Sequence, residues 1–224
     1  MIAAVAAGVL VGLALLAALV ASFALLDIQP RSSILITLAT AAVYSSVFLA
    51  VWLVLLRGNQ ASWRDAGFRP VRPATLLAMF PLTLLLLVLN AAVLAGLGLL
   101  LGGAIENPQE QAIAPGGVLS LTDYLWLLPA VAVAAPIVEE LVFRGVLYPY
   151  LRHRMRPLFA VLLSAAIFSL VHFIRELLAP LFVTGVVLAI VRERTESILP
   201  CILLHALLNG ISLTVFYIGL SSSL

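Results

Sequence analysis

The sequence predicts an all-α protein, a polytopic bundle of transmembrane helices with about seven spans, built as one integral membrane domain over residues 1–224. Two observations support this fold class. Hydrophobic residues make up 64% of the chain and charged residues only 10%, whereas a soluble domain carries about 25% charged residues. The apolar residues also fall into long runs, and a helix of roughly 20 apolar residues crosses the hydrocarbon core of a bilayer.

Seven apolar runs are predicted to be spans, in the order 3–26, 33–56, 74–101, 124–148, 157–174, 177–191 and 198–219. The first lacks a charged leader and is longer than the apolar core of a signal peptide, so we expect it to be retained as a helix. The sixth is short, and we expect Pro180 and Gly185 to interrupt or distort it. Two G-x-x-x-G patterns, Gly8 to Gly12 and Gly98 to Gly102, permit close contact between helices, for which an oligomer face is one use.

Arginine is concentrated in alternate loops. Four arginines lie in 57–73, three follow the fourth run and two follow the sixth, whereas the other loops are rich in acidic residues. By the positive-inside rule the arginine-rich loops face the cytoplasm, which puts the N-terminus in the cytoplasm and the C-terminus outside. The segment 57–73 also contains Trp63 and Phe68, so we expect a short helix lying in the cytoplasmic interface.

The net charge and the cysteine content limit the partners and the chemistry that the chain can have. The net charge of +2 gives no indication of nucleic acid, and the lipid bilayer is the partner that the composition predicts. Cys201 is the single cysteine, so no intrachain disulfide can form. It lies four residues before His205, which allows a Cys–His nucleophile, but a small buried filler is the expected role.

Polar residues on three of the runs are predicted to lie at one depth in the membrane. At a helical rise of 1.5 Å per residue, each lies roughly 17–24 Å from the arginines that mark the cytoplasmic edge of its run. These residues are Glu139, His172, His205 and Asn209. Ionisable groups are expensive at such depth and mark functional sites, so a shared layer indicates one buried polar site.

Helical spacing separates the roles of the two neighbouring glutamates. Glu140 and Arg144 are four residues apart, the favourable arrangement for an ion pair along one helix. Glu139 points about 100° away from Glu140, so we expect Glu139 to face the site. Glu140 and Arg144 are expected to neutralise each other's charge and to orient the groups around them. His205 and Asn209 are also four apart and share a helix face.

These groups are suited to activating water. Burial disfavours the charged form of a carboxylate, which makes Glu139 a stronger proton acceptor. A histidine beside it can position the water, and a His with an Asn can stabilise the oxyanion of a tetrahedral intermediate. One Glu with two His also matches a catalytic zinc site with three protein ligands. The residues alone leave both chemistries open, and the chain contains neither H-E-x-x-H nor G-x-S-x-G.

Three short motifs resemble those of the CPBP family, the CAAX-protease and bacteriocin-processing intramembrane proteases. The motifs are E-E-x-x-x-R at Glu139, Glu140 and Arg144, F-x-x-x-H at Phe168 and His172, and H-x-x-x-N at His205 and Asn209. They occur in this order on successive apolar runs. The motif-bearing region, about 124–210, is therefore the expected catalytic core, with a CAAX-protease-like fold.

The resemblance implies an intramembrane endopeptidase that acts on a membrane peptide or a lipidated protein. It implies that Glu139 and His172 activate the hydrolytic water and that His205 and Asn209 stabilise the oxyanion. The supporting residues are Glu140, Arg144 and Phe168. In this glutamate-type mechanism no cofactor is required; a zinc-dependent form, with Glu139, His172 and His205 as ligands, is the alternative.

Other expectations follow from the same resemblance. The chain is similar to bacterial members, so we expect it in the bacterial inner (plasma) membrane. Substrates of such members are diverse, and cleavage of prenylated CAAX proteins is not carried over. Two functions of other classes stay as alternatives. One is a proton-coupled transporter that uses the Glu and His residues as a relay; the other is a non-catalytic immunity protein on the protease scaffold.

Overall fold

The computed structural model describes residues 2–27, 31–53 and 62–221, which form helices and no strand. The predicted all-α class is therefore confirmed for the described chain. The helices and their bounds are α1 (Ile2–Leu25), α2 (Ser32–Val51), α3 (Pro73–Leu101), α4 (Pro108–Ile113), α5 (Leu121–Arg152), α6 (Pro157–Leu170), α7 (Leu178–Thr195) and α8 (Leu199–Ser221).

The helices have the lengths expected of an integral membrane protein. Within the described residues α1, α2, α3, α5 and α8 are long and apolar enough to cross a bilayer. The shorter helices α6 and α7 coincide with the fifth and sixth predicted spans. The chain is therefore a helical integral membrane protein, while its orientation and the identity of its membrane stay predictions.

Helix α7 differs from its prediction because it is continuous from Leu178 to Thr195. Pro180 stands in the first turn of the helix, where a backbone donor is not needed. Gly185 lies against α6, since a Cβ added to it would be 2.9 Å from the Cα of Ala165. The expected interruption is thus wrong: glycine is needed here for close approach of two helices, not for a break.

The expected interfacial helix is also wrong for the part of 57–73 that the structure describes. Residues 63–67 form a turn, and residues 68–72 have no helical structure. Gly67 has φ +92°, a backbone conformation that ends a helix and that glycine adopts readily. Residues 57–61 lie outside the described residues.

The chain divides into two compact units. The first unit contains residues 1–63, 110–138 and 209–224, and the second contains residues 64–109 and 139–208. Of the seven residues predicted for the site, Asn209 belongs to the first unit. The other six belong to the second.

Small residues pack α1 against α2 in the first unit. A Cβ added to Gly12 would lie 2.5 Å from the Cα of Val43, and one added to Gly8 would lie 2.9 Å from the Cβ of Ala50. The two glycines therefore serve a contact within the chain, as the small-x-x-x-small pattern permits.

Polar contacts fix the start of α5 to the start of α2 in the same unit. Ser120 caps α5 by accepting the backbone N–H of Asp123 at 3.2 Å. The hydroxyl of Ser33 donates to Oδ1 of Asp123 at 2.5 Å, and Arg31 lies 3.5 Å from the other carboxylate oxygen. An acidic group in the first turn also interacts favourably with the helix dipole.

An apolar cluster joins α3, α7 and α8 in the second unit. Its buried members are Met79, Leu188, Val191, Cys201 and Leu204. The thiol of Cys201 is fully buried and lies 3.4 Å from the carbonyl oxygen of Leu188. These surroundings support its predicted role as a small filler of the core.

A charged contact holds the end of α5 to the end of α7. Glu193 accepts a hydrogen bond from the hydroxyl of Tyr148 at 2.7 Å and one from Nε of Arg152 at 3.0 Å. The Tyr148 hydrogen bond, with the Arg152 guanidinium, holds the pKa of the Glu193 carboxyl below its usual value. Its ionised form is therefore the one that this contact stabilises.

The close contact of α1 with α2 gives the first prediction. Gly12→Ala should lower the free energy of unfolding by about 1–3 kcal/mol, because the new methyl group overlaps the backbone of Val43. Thermal unfolding in detergent measures the effect. Gly96→Ala is the control, since a Cβ there meets nothing within 4 Å. Equal stability of the two variants would contradict the packing role of Gly12.

Candidate active site

Two π-turns flank the neighbouring glutamates on α5. They span Ala130–Ala134 and Leu141–Leu147, and the helix between them, Ala135–Glu140, ends with Glu139 and Glu140. In the second π-turn the backbone N–H of Tyr148 donates to the carbonyl oxygen of Phe143, five residues back. Such turns are rare, and many occur at functional sites. Sequence analysis missed them, although Pro136 and Pro149, which lack a backbone donor, were a signal for irregular bonding in this helix.

The ion pair predicted from helical spacing is present and fully buried. Nη1 of Arg144 donates to Oε1 of Glu140 at 2.9 Å, and both side chains have no exposed surface. Nη2 of Arg144 donates to the carbonyl oxygen of Gly185 at 3.1 Å. The guanidinium carbon lies 4.5 Å from the centre of the Phe168 ring, which adds a cation–π contact. Arg144 therefore links α5 to both α6 and α7.

His205 is held by the same carboxylate. Its Nδ1 lies 2.9 Å from Oε1 of Glu140. Glu140 is ionised beside Arg144 and can only accept, so Nδ1 of His205 carries the hydrogen. The other ring nitrogen, Nε2, lies 3.9 Å from Oε2 of Glu139.

His172 is oriented by its own helix end. Its Nδ1 lies 2.7 Å from the carbonyl oxygen of Phe168, one turn earlier. A carbonyl oxygen only accepts, so Nδ1 of His172 also carries its hydrogen. Its Nε2 lies 3.8 Å from Oε2 of Glu139. In both histidines, therefore, the nitrogen that holds a lone pair in the neutral ring is the one nearest to Glu139.

The separation between Glu139 and His172 is that of two groups which share one bridging molecule. The 3.8 Å between Glu139 Oε2 and His172 Nε2 exceeds a hydrogen bond, and a single water can lie about 2.8 Å from each of two atoms at this separation. Oε2 itself is buried in this structure, so a small shift of a neighbouring side chain is needed to admit the water. The side chains of Glu139 and His172 are 13% and 19% exposed, so this part of the site is less enclosed than the Glu140–Arg144 pair.

Phe168 forms an apolar wall behind the histidines. Its ring is fully buried, and its centre lies 4.8 Å from that of His172 and 5.8 Å from that of His205, both edge to face. Phe143 contacts the same ring from α5 at 5.1 Å. Aromatic walls lower the local dielectric constant and so strengthen the polar contacts beside them.

The second unit thus brings together three of the four residues predicted for chemistry, namely Glu139, His172 and His205. Asn209 lies in the first unit, where its side-chain amide donates to the carbonyl oxygen of Val131 at 3.1 Å. An amide nitrogen has two hydrogens, and this contact uses one of them.

The alternative zinc site can be tested against the same geometry. A catalytic zinc ion needs three donor atoms at about 2.0–2.2 Å from a single point. Among the described residues, no three His, Cys, Asp or Glu side chains are grouped in a way that could hold a metal ion. Glu139, His172 and His205 are all described, and Glu139 Oε2 lies 3.8 and 3.9 Å from the two Nε2 atoms, so these donors would have to move closer together to bind zinc. No step is derived through a metal, and the zinc-dependent form stays the alternative.

Fold and site together define a helical integral membrane protein that places a largely buried carboxylate, Glu139, beside two imidazoles. Residues 121–211 match a family model described as type II CAAX prenyl endopeptidase Rce1-like. The match covers less than half of the chain but includes all three motifs, and it confirms the resemblance that they predicted. It supports a CAAX-type intramembrane protease, a peptide hydrolase, in general terms. No curated protein and no solved structure matches the chain.

The buried ion pair gives the second prediction. Arg144→Met should destabilise the protein by about 3–5 kcal/mol, because it leaves the Glu140 carboxylate buried without the guanidinium that pairs with it. The double variant Glu140→Gln/Arg144→Met should recover part of this loss. Chemical unfolding in mixed micelles measures both, with the exposed Arg156→Met as control. A single variant as stable as the control would show that the pair does not constrain the fold.

Proposed function

We propose that the protein is an intramembrane endopeptidase that hydrolyses a peptide bond of a membrane-associated or lipidated substrate with a water activated by Glu139 and His172. The family match supports a protease. The observation that carries the mechanism is the approach of Glu139 Oε2 to both Nε2 atoms, at 3.8 Å from His172 and 3.9 Å from His205.

Water activation uses the pair Glu139 and His172. The hydrolytic water lies between the Glu139 carboxylate and Nε2 of His172, both of which accept hydrogen bonds. As the water oxygen bonds to the scissile carbonyl carbon, its proton passes to this pair. Holding the water against two fixed acceptors also removes much of the entropic cost of the attack.

His205 lies between the two carboxylates, with Nδ1 toward Glu140 and Nε2 toward Glu139. Because Nδ1 already donates to Glu140, Nε2 can act as a donor only when the ring carries both hydrogens. In this state His205 is a cationic donor, and Glu140 stabilises its charge through Nδ1.

The protonated His205 provides the oxyanion contact. Nε2–H donates to the negative oxygen of the tetrahedral intermediate, and the amide of Asn209 is the proposed second donor. Collapse of the intermediate breaks the carbon–nitrogen bond. The proton held by Glu139 and His172 passes to the leaving nitrogen, which yields a free amine and a carboxylic acid.

The third prediction tests the proposed base. Glu139→Gln keeps the size of the side chain but cannot accept the proton, so cleavage should fall by at least about 100-fold. Reconstituted enzyme is incubated with a pool of membrane peptides, and mass spectrometry detects the new termini. Wild-type enzyme should produce termini that Glu139→Gln does not.

A matched variant controls for the chemistry of this change. Glu106→Gln alters an exposed glutamate of the loop between α3 and α4 and should leave cleavage unchanged. Both variants should melt at the wild-type temperature. A Glu139→Gln cleavage rate within about tenfold of wild type would show that Glu139 is not the general base. If the wild-type enzyme produced no new termini from any peptide pool, the proposed protease function itself would be contradicted.

The fourth prediction concerns metal. Because the proposed mechanism proceeds through Glu139 and His172 alone, overnight dialysis against a strong chelator should leave the cleavage rate unchanged. Metal analysis of the dialysed protein verifies the removal. Loss of activity that added zinc restores would instead favour the zinc-dependent alternative and would require the three side chains to rearrange.

A further inference from the structure

The segment Arg64–Arg72 buries part of its backbone although most of its side chains are charged or exposed. Ala66 and Gly67 are buried, whereas Arg64 is exposed. Gly67 closes a turn by donating its N–H to the carbonyl oxygen of Arg64 at 3.0 Å. A loop that buries its main chain in this way has packing partners that fix its position.

One set of partners lies at the junction of α7 and α8. The carbonyl oxygen of Gly67 accepts the backbone N–H of Ile198 at 2.9 Å. The hydroxyl of Ser197 donates to the carbonyl oxygen of Arg69 at 2.6 Å. The Arg69 side chain pairs with Glu196 at 3.0 Å, an exposed contact that adds little stability. The backbone contacts therefore hold the segment.

The same segment lies directly against the second π-turn of α5. A Cβ added to Gly145 would be 2.7 Å from the carbonyl oxygen of Ala66, closer than any real contact of that kind. This oxygen belongs to the backbone, which cannot move aside as a flexible side chain would. The Arg64–Arg72 segment and the π-turn Leu141–Leu147 are thus in van der Waals contact through Gly145.

Arg192 of α7 contacts both the Arg64–Arg72 segment and the second π-turn. Its guanidinium lies beside Gly67, and its Nε donates to the carbonyl oxygen of Arg144 at 2.9 Å. That carbonyl lacks its usual partners, because the N–H of Tyr148 is used by Phe143 and the next residue, Pro149, has no N–H. Arg192 therefore supplies the donor that the π-turn and the proline remove.

The backbone that Arg192 holds belongs to the residue that organises the site. The Arg144 side chain donates to Oε1 of Glu140, and this oxygen lies 2.9 Å from Nδ1 of His205. A shift of the Arg144 backbone therefore moves Glu140 and, with it, the hydrogen bond that orients the His205 ring. Displacements of about 1 Å in such arrangements reduce catalytic rates by about 100-fold.

We propose that Arg192 and the Arg64–Arg72 segment position His205, by fixing the backbone of the π-turn through Arg144 and Gly145. Neither element supplies a reacting group. The inference rests on the proposed peptidase function for its kinetic consequence, but its structural consequence, the orientation of His205, exists whether or not the protein cleaves peptides.

A kinetic experiment tests the first consequence. Arg192→Met, which keeps the length of the side chain but has no donor, should lower kcat by about 10- to 100-fold with KM unchanged, because substrate contacts are not altered. Arg194→Met is the matched control, since Arg194 is exposed and lies on the opposite face of α7. Arg192→Gln, whose amide nitrogen is a donor at the position of the arginine Nε, should recover part of the rate. A wild-type kcat in a folded Arg192→Met protein overturns the proposal.

A second pair of variants tests the segment contact and keeps the proposal testable if Arg192→Met misfolds. Gly145→Ala should lower kcat in the same way, whereas Gly96→Ala, with no neighbour within 4 Å, should not. Melting temperatures are measured for all variants. A lower melting temperature with full kcat in Gly145→Ala would assign the contact to stability alone and overturn the positioning role.

The orientation of His205 can be followed without any substrate. Protein labelled with ¹⁵N-histidine has three imidazoles, at positions 153, 172 and 205, each assigned with its His→Gln variant. Arg192→Met should shift the ring resonances of His205 and leave those of the exposed His153 in place. An unchanged His205 spectrum overturns the inference. A shifted spectrum in a protein without peptidase activity would support it while contradicting the proposed function.

Discussion

The buried ion pair of Glu140 and Arg144 constrains how the helices of the second unit pack. Each charge is costly to bury unless its partner is fixed, so Arg144 must reach both Glu140 and the carbonyl oxygen of Gly185. Glu140 in turn holds the ring of His205. These requirements set the face of α5 that turns toward α6 and α7, and that choice brings Glu139 near the two imidazoles.

The site has two parts, a fully buried supporting part and a more accessible part that contains the proposed reacting groups. Glu140, Arg144 and Phe168 are fully buried and interlocked by hydrogen bonds and ring contacts. Glu139 and His172 retain some exposure and are separated by more than a hydrogen bond. Rigid support behind a partly open edge is the arrangement that preorganised catalysis needs, since the supporting groups do not have to move during the reaction.

Sequence reasoning succeeded where the interaction was local and failed where it depended on distant contacts. Apolar run length predicted the five helices that are long enough to cross a bilayer, and four-residue spacing predicted the Glu140–Arg144 pair. The contact of His205 with Glu140 joins residues far apart in the chain, so no spacing rule reveals it. The sequence predicts Gly185 to interrupt its helix, because the residue against which it packs, Ala165, lies on another helix and cannot be identified from the sequence. Only the packed chain shows which of these roles a glycine has.

The second π-turn of α5 has a consequence for how this helix can change over evolution. A π-turn takes up one residue more than an α-turn, so the residues before and after it do not share one angular phase. Glu140 stands before the turn and Leu151 after it. If one helical periodicity is applied to the whole of α5, residues at one end of the helix are therefore assigned to the wrong face. Deletion of a single residue between them would restore the phase and rotate one end of the helix, whereas substitutions that keep the length would leave both faces in place.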